Sequence, residues 1–247
     1  RTAQAMQPTP RADALIATVR EVLDGVRRLS EAEQRFDPRQ SDRAFRIFMT
    51  DASHVTLLPK LFTHVRALAP NVKLEAVTIG PQMVAELQSG EGDLALGLIP
   101  GLEAGFYQQA LFDQTWVCLA NPRHSRLKNA ISLTEYINAN HVGIVAGTGQ
   151  TLLEATLKER GIERRVALKL PGFLGLSAIL LSTDLVATLP QHIGETLANA
   201  AGLKVLRCPF EIPSFTVKQH WHARYHHDPA NRWLRGVCAE LFLRSNQ

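Results

Sequence analysis

Cysteine is scarce in this chain. Three occur among 247 residues, at Cys118, Cys208 and Cys238. Their number is odd, they lie far apart in sequence, and no Cys-x-x-Cys pair exists. That argues against a disulfide framework and a cysteine zinc site, and fits a reducing compartment. Cys118, inside Trp116-Val117-Cys118-Leu119-Ala120, reads as a buried strand residue. No run of 18 apolar residues occurs, so no membrane span is expected. Charge of either sign is in mild supply, 27 basic against 23 acidic residues for a net +4, which by itself singles out no partner.

Catalytic motifs are missing as well. There is no Gly-x-Ser-x-Gly elbow. Ala146-Gly147-Thr148-Gly149 is not followed by Gly-Lys-Ser/Thr, so it is not a phosphate loop, and Gly147-x-Gly149 lacks the third glycine of a dinucleotide fingerprint. Asp51 has no identifiable acid–base partner. His220, His222, His226 and His227 cluster, but no nearby cysteine or carboxylate set completes a metal site. The expectation is therefore a non-enzymatic protein without metal or cofactor. No export signal is visible and the chain begins at Arg1 rather than methionine, so we read it as a piece of a longer, cytoplasmic protein.

What is present is an ordinary globular composition, 45% hydrophobic and 20% charged, in a length that suits one large domain or two small ones. The first segment stands apart. Residues 11–36 contain no proline and one glycine, with apolar residues at Ala12, Leu15, Val19, Val22, Val26 and Leu29. The 3-4-3-4-3 spacing is a heptad seam. Such a helix either packs on its own domain or dimerises. Its place before the polar break Asp37-Pro38-Arg39-Gln40-Ser41-Asp42 favours dimerisation through Leu15, Val19, Val22, Val26 and Leu29.

Beyond the break, strand and helix patterns alternate. Strands are expected near 45–49, 72–77 and 93–98, with helices over 54–68 and 82–88 between them. A second unit follows, with helices near 133–138, 152–160 and 173–181 and strands near 142–145, 166–170 and 185–189. Pro190 opens another helix ahead of a strand at 203–206. The tail reads as a strand over 215–224 and a helix from 229 to 243. This order predicts an α/β protein with doubly wound sheets. A last strand and helix after a complete second unit imply that the chain returns to its first lobe, with crossings near Ala120-Asn121-Pro122 and Pro209-Phe210-Glu211. Two lobes joined by two strands make a clamshell with a cleft between them.

Several motifs carry a family resemblance. Pro8-Thr9-Pro10-Arg11-Ala12, together with Arg1-Thr2 and Met6, resembles the join between winged helix-turn-helix and linker helix in LysR-type transcription regulators. Thr50-Asp51 with Leu58-Pro59, Gly90 with Asp93-Leu94-Ala95-Leu96-Gly97, Ala146-Gly147-Thr148-Gly149, and Asp184-Leu185-Val186-Ala187-Thr188-Leu189-Pro190 resemble their effector domain in order. The stretch Trp221-His222-Ala223-Arg224-Tyr225-His226, with Asp228, Pro229, Asn231, Trp233 and Leu234, is similar to the salicylate- and nitrotoluene-responsive subgroup.

The resemblance implies two Rossmann-like lobes in a periplasmic-binding-protein-type clamshell, preceded by a long dimerisation helix. Its division would be 1–41 for the end of the wing and the linker helix, 42–120 with 211–247 for the first lobe, and 121–210 for the second. It implies a small aromatic effector in the cleft, promoter DNA held by an upstream winged helix-turn-helix, and dimers that pair into tetramers. Asp51-Ala52-Ser53 and Thr148-Gly149-Gln150 each follow a strand and open a helix, where backbone N–H groups meet an anion or hydroxyl. Ser53 and Thr148 also suit plain N-capping. Thr56, Leu57, Ile99, Pro100, Thr115, Phe173 and His192 complete the expected site, with Phe173 and Ile99 against the ring; His192 reads equally as a surface helix residue. Thr115 and Gln150 stand where salicylate-responsive relatives carry histidine, and Thr56 and Leu57 where some carry aromatic side chains, which implies a roomier, less basic pocket. A solute-binding protein or an enzyme on the same scaffold are the alternatives.

Overall fold

The computed structural model describes residues 9–32, 36–102, 104–125, 127, 130–145 and 147–243, with backbone alone for Asp13 and residues 27–32. The expected wing residues Arg1, Thr2, Met6 and Pro8, residue Ala146 and the Leu29 side chain lie outside that description. The elements run α1 (Pro10–Ala32), β1 (Ala44–Met49), α2 (Asp51–Thr56), α3 (Leu58–Leu68), β2 (Lys73–Thr78), α4 (Met83–Ser89), β3 (Leu94–Gly97), β4 (Phe106–Gln114) and β5 (Trp116–Ala120). Then come α5 (Leu133–Asn138), β6 (Asn140–Ile144), α6 (Thr148–Glu159), β7 (Arg165–Leu170), α7 (Leu176–Ser182), β8 (Val186–Pro190), α8 (Gln191–Ala201), β9 (Lys204–Arg207), β10 (Phe215–His222) and α9 (Pro229–Leu243).

The strands form two five-stranded sheets, ordered β2-β1-β3-β10-β4 and β7-β6-β8-β5-β9. In the first, β2, β1 and β3 are parallel and β10 runs antiparallel between β3 and β4. In the second, β7, β6 and β8 are parallel and β5 runs antiparallel between β8 and β9. Central strands of such sheets are covered on both faces and so read as apolar runs. Successive side chains then feed opposite cores. Phe45, Ile47 and Met49 of β1 enter the core beneath α3 and α9, whereas Phe48 enters the one beneath α4. In β5, Leu119 faces the α7–α8 core, and Trp116, Cys118 and Ala120 face the α5–α6 core.

Among the described residues, helix α1 contributes to none of these cores. Leu15, Val19, Val22, Leu23 and Val26 are each more than half exposed. The described side chains of this seam therefore do not pack on the two-sheet body.

Three local expectations need correction. The helix expected over 54–68 is two helices that break at Leu57, because Pro59 fills the first turn of α3 and has no N–H to continue α2. Phe173 does not open a helix; α7 starts at Leu176, after a turn. Pro190 is the last residue of β8 and the N-cap of α8, not its first helical residue. One crossing also moves. Strand β4 ends at Gln114 in the first sheet and β5 begins at Trp116 in the second, so the chain crosses at Thr115 rather than near Ala120-Asn121-Pro122. The return runs through 208–214, where Trp116 Nε1 donates to the Pro213 carbonyl at 3.0 Å and ties the two crossings together.

Candidate functional site

A cleft opens where the two sheets face each other, at the carboxyl ends of β1, β3, β6 and β8, the topological position at which open α/β sheets bind ligands. The first lobe supplies Thr50, Asp51, Ala52, Ser53, Thr56, Leu57, Gly97 and Leu98. The second supplies Gly147, Thr148, Gly149, Gln150, Phe173, Pro190 and Ile193, and the strands beside the crossings add Phe112, Gln114, Phe215 and Val217.

The polar groups are arranged by the two strand-to-helix turns. Thr50, not Ser53, caps α2: its Oγ1 accepts the Ser53 N–H at 3.2 Å and lies 3.0 Å from Ser53 Oγ. Asp51 Oδ1 accepts the Ala52 N–H, and Oδ2 reaches across the cleft to accept the Phe173 N–H at 3.0 Å. Thr148 is likewise not a cap. The N-cap of α6 is Gly147, at φ +93°, a conformation that favours glycine, and among the described residues no side chain caps that helix. The Thr148 hydroxyl instead donates to the Leu98 carbonyl of the other lobe at 2.6 Å. Asp51 and Thr148 therefore latch the lobes from opposite sides.

Gln150 is 5% exposed, and neither its Oε1 nor its Nε2 has a hydrogen-bond partner among the described residues. A buried amide left unpaired costs stability, so one that lines a cleft is poised for a polar ligand. Among the described residues Asp51 is the one charged residue in the lining, and N–H groups already occupy both of its oxygens. An incoming anion would meet the uncapped first turn of α6, the Gln150 amide and the Thr50 and Ser53 hydroxyls. Phe112, Phe173 and Phe215 supply flat apolar walls. The cavity encloses about 70 Å³.

The cleft thus brings together Asp51, Ala52, Ser53, Thr56, Leu57, Thr148, Gly149, Gln150 and Phe173. Four expected residues lie outside its lining. Leu98 faces the cavity and its neighbour Ile99 packs instead with the Phe48–Leu87 core, which carries Pro100 away as well. Thr115 is exposed at the crossing, where its hydroxyl bonds the Gln191 side chain. His192 stands behind the wall, its ring 4.6 Å from that of Phe112 and its backbone N–H donating to Gln114 Oε1; burial pushes its imidazole below the usual range. Phe112, Gln114, Phe215 and Val217 were missed. Phe215 and Val217 share one face of the strand read over 215–224, but nothing local shows that this face meets a ligand.

The expected histidine cluster is spread out. His226 forms a three-ring cluster with Trp221 and Tyr107, His220 is buried within β10, and His222 Nδ1 accepts the Arg224 N–H.

Known proteins place this geometry. Residues 38–243 match the LysR substrate binding domain. The chain is 36% identical over 246 residues to the HTH-type transcriptional activator NagR of Ralstonia sp, covering 98% of this chain and 81% of that protein. It is 34% identical over 244 residues to the activator NahR of Pseudomonas putida, with the same coverage of each chain. A solved transcriptional regulator from Pseudomonas aeruginosa superposes with a TM-score of 0.74 at 32% identity, over 97% of this chain and 80% of that one. The clamshell is therefore the effector-binding part of a transcription regulator and not an enzyme. The chain belongs to the LysR family. Among the described residues, no helix is long and apolar enough to cross a membrane.

Proposed function

We propose that this chain is the effector-binding and dimerisation part of a cytoplasmic activator of aromatic-compound catabolism, and that a small single-ring aromatic carboxylate binds between its lobes. The observation that carries this reading is the pairing of an unpartnered buried amide, Gln150, with the uncapped start of α6 inside a cleft walled by three phenylalanines. The carboxylate lies against the α6 start, Gln150 and Ser53, and the ring lies among Phe112, Phe173 and Phe215. The first two curated relatives are named as activators, which supports the direction of control. Promoter DNA is contacted by a winged helix-turn-helix joined ahead of α1, and two dimers pair into a tetramer. A ligand that fits the closed arrangement better than the open one shifts the balance between them, and with it the spacing of the DNA-binding heads.

A melting-temperature screen of benzoate, hydroxybenzoates, phenols, aliphatic acids and amino acids tests the reading. Ligand at 100 times its dissociation constant adds about 2.7 kcal/mol, a readily measured rise. Stabilisation by aromatic carboxylates is expected. A response confined to amino acids or aliphatic acids would overturn the aromatic assignment.

A further inference from the structure

A second chemical site lies in the other lobe, on the far side of β5 from the α7–α8 core. Cys118 on β5 and Cys208, just past β9, have their sulfurs 3.6 Å apart, although 90 residues separate them in sequence. Cys118 is fully buried and Cys208 half-buried. Cys208 opens into a surface groove lined by Trp116, Arg207, Pro209, Phe210 and Ile212. Behind the pair runs a line of hydroxyls: Thr188 Oγ1 is 3.6 Å from the Cys118 sulfur and 2.9 Å from the Tyr136 hydroxyl.

The surroundings favour a thiolate. The Arg164 side chain is 3% exposed and pairs with Glu154 alone; its Nε and Nη1 have no hydrogen-bond partner among the described residues. A buried cation with so little compensation stabilises nearby negative charge. Cys118 is held below the ordinary thiol range, chiefly because the Cys208 S–H donates to it, with Thr188 and Arg164 adding to the effect against its burial. The bond to Cys118 and burial push the Cys208 thiol up, so the resting charge of the pair sits on Cys118 and reaches Cys208 only by a proton shift between them. Cys238 is the internal contrast: fully buried in the first lobe, with its thiol pushed up to about 12 by burial alone.

We propose that Cys118 and Cys208 form a peroxide-sensitive dithiol that closes to an intrachain disulfide, with Cys208 as the sulfur that meets the oxidant in the groove. The pair releases one proton to solvent, and the remaining proton shifts from Cys208 to Cys118 along their hydrogen bond. The Cys208 thiolate attacks one oxygen of hydrogen peroxide. The O–O bond breaks, Cys208 becomes a sulfenic acid, and the departing hydroxide takes a proton to form water. The Cys118 sulfur then displaces the hydroxyl from Cys208, its own proton leaving with that hydroxyl as a second water. Both sulfurs are oxidised by one electron each and the peroxide is reduced by two. The sulfurs close from 3.6 Å to about 2.05 Å, which draws the start of the 208–214 return crossing onto β5. Disulfides that form within a reducing compartment are typically transient and sensing, which suits a regulator.

The test uses the full 247-residue chain, reduced and then exposed to hydrogen peroxide, followed by peptide mapping without reductant. The expected result is loss of two of the three free thiols, one linked peptide pair containing Cys118 and Cys208, and full reversal by dithiothreitol, with Cys238 still free. Cys208→Ser, a half-exposed position that tolerates the change, abolishes the link and leaves Cys118 reduced. Three free thiols after peroxide treatment that fully oxidises glutathione would overturn the proposal. So would a Cys208 sulfinic acid with no link to Cys118.

Discussion

The Asp51 carboxylate reaches the other lobe beside Gly172. A β-carbon at Gly172 would overlap Asp51 Oδ2, the same oxygen that accepts the Phe173 N–H. Gly172→Ala therefore displaces the Asp51 carboxylate and breaks that bond between the lobes, at a cost of about 1–3 kcal/mol. Calorimetric titration with benzoate should show affinity falling about tenfold or more; an unchanged affinity would mean that this latch is not part of the bound state. His141 gives a pH signature. Its imidazole is fully buried, with Nε2 2.7 Å from the Tyr136 carbonyl oxygen, and burial pushes it down to about 4 from an ordinary 6.5. The unfolded chain thus takes up this proton more readily than the folded one. Stability is fully present above pH 6.5 and is lost as pH falls toward 4, by about 2–3 kcal/mol at pH 4.5 from this group. Urea unfolding at pH 7 and 4.5 checks the loss, and His141→Asn should flatten the slope. At this scale the sequence was partly legible. Residues at strand-to-helix turns, such as Asp51 and Thr148, stand out because of where they fall. Their partners, Phe173 N–H and the Leu98 carbonyl, lie 122 and 50 residues away and leave no local mark.

At the scale of elements, α1 is the piece that joins no core among the described residues. Its apolar spacing was legible in the sequence, and the structure leaves the described seam residues Leu15, Val19, Val22 and Val26 in solvent, with Val22 61% exposed. An isolated helix with such a stripe gains most by pairing with a copy of itself. Deleting residues 1–35, which spares Phe36 and its contacts with Phe45 and Trp233, should leave the two-sheet body folded but monomeric. Val22→Asp should weaken the dimer in the same direction. Light scattering at micromolar concentration checks both, and a monomeric full chain would contradict the seam. Strand β4 was the element not read. It lies at the edge of its sheet, its first half is mostly exposed, and Tyr107-Gln108-Gln109-Ala110 shows no apolar alternation. Missing it displaced the first crossing. The split of α2 from α3 was also hidden, since apolar spacing runs on through Leu57 while the proline at 59 ends the hydrogen-bond ladder.

At the scale of the molecule, the alternation of strands and helices, the return of the tail and the two-lobed form were all legible, because each parallel strand must be apolar and each crossover must be long. The depth of closure was not, since it depends on contacts between distant turns. What remains is to place the effector in this cleft. Gln150→Leu is the decisive substitution, because it separates binding from folding. Leucine keeps the volume and removes two buried polar atoms that have no partner among the described residues. The melting temperature of the ligand-free protein should therefore hold or rise. Affinity for an aromatic carboxylate, measured by calorimetric titration against wild type, should fall by about 1–3 kcal/mol, from roughly fivefold to more than a hundredfold. An intact fold with unchanged affinity would contradict the central claim and place the effector elsewhere.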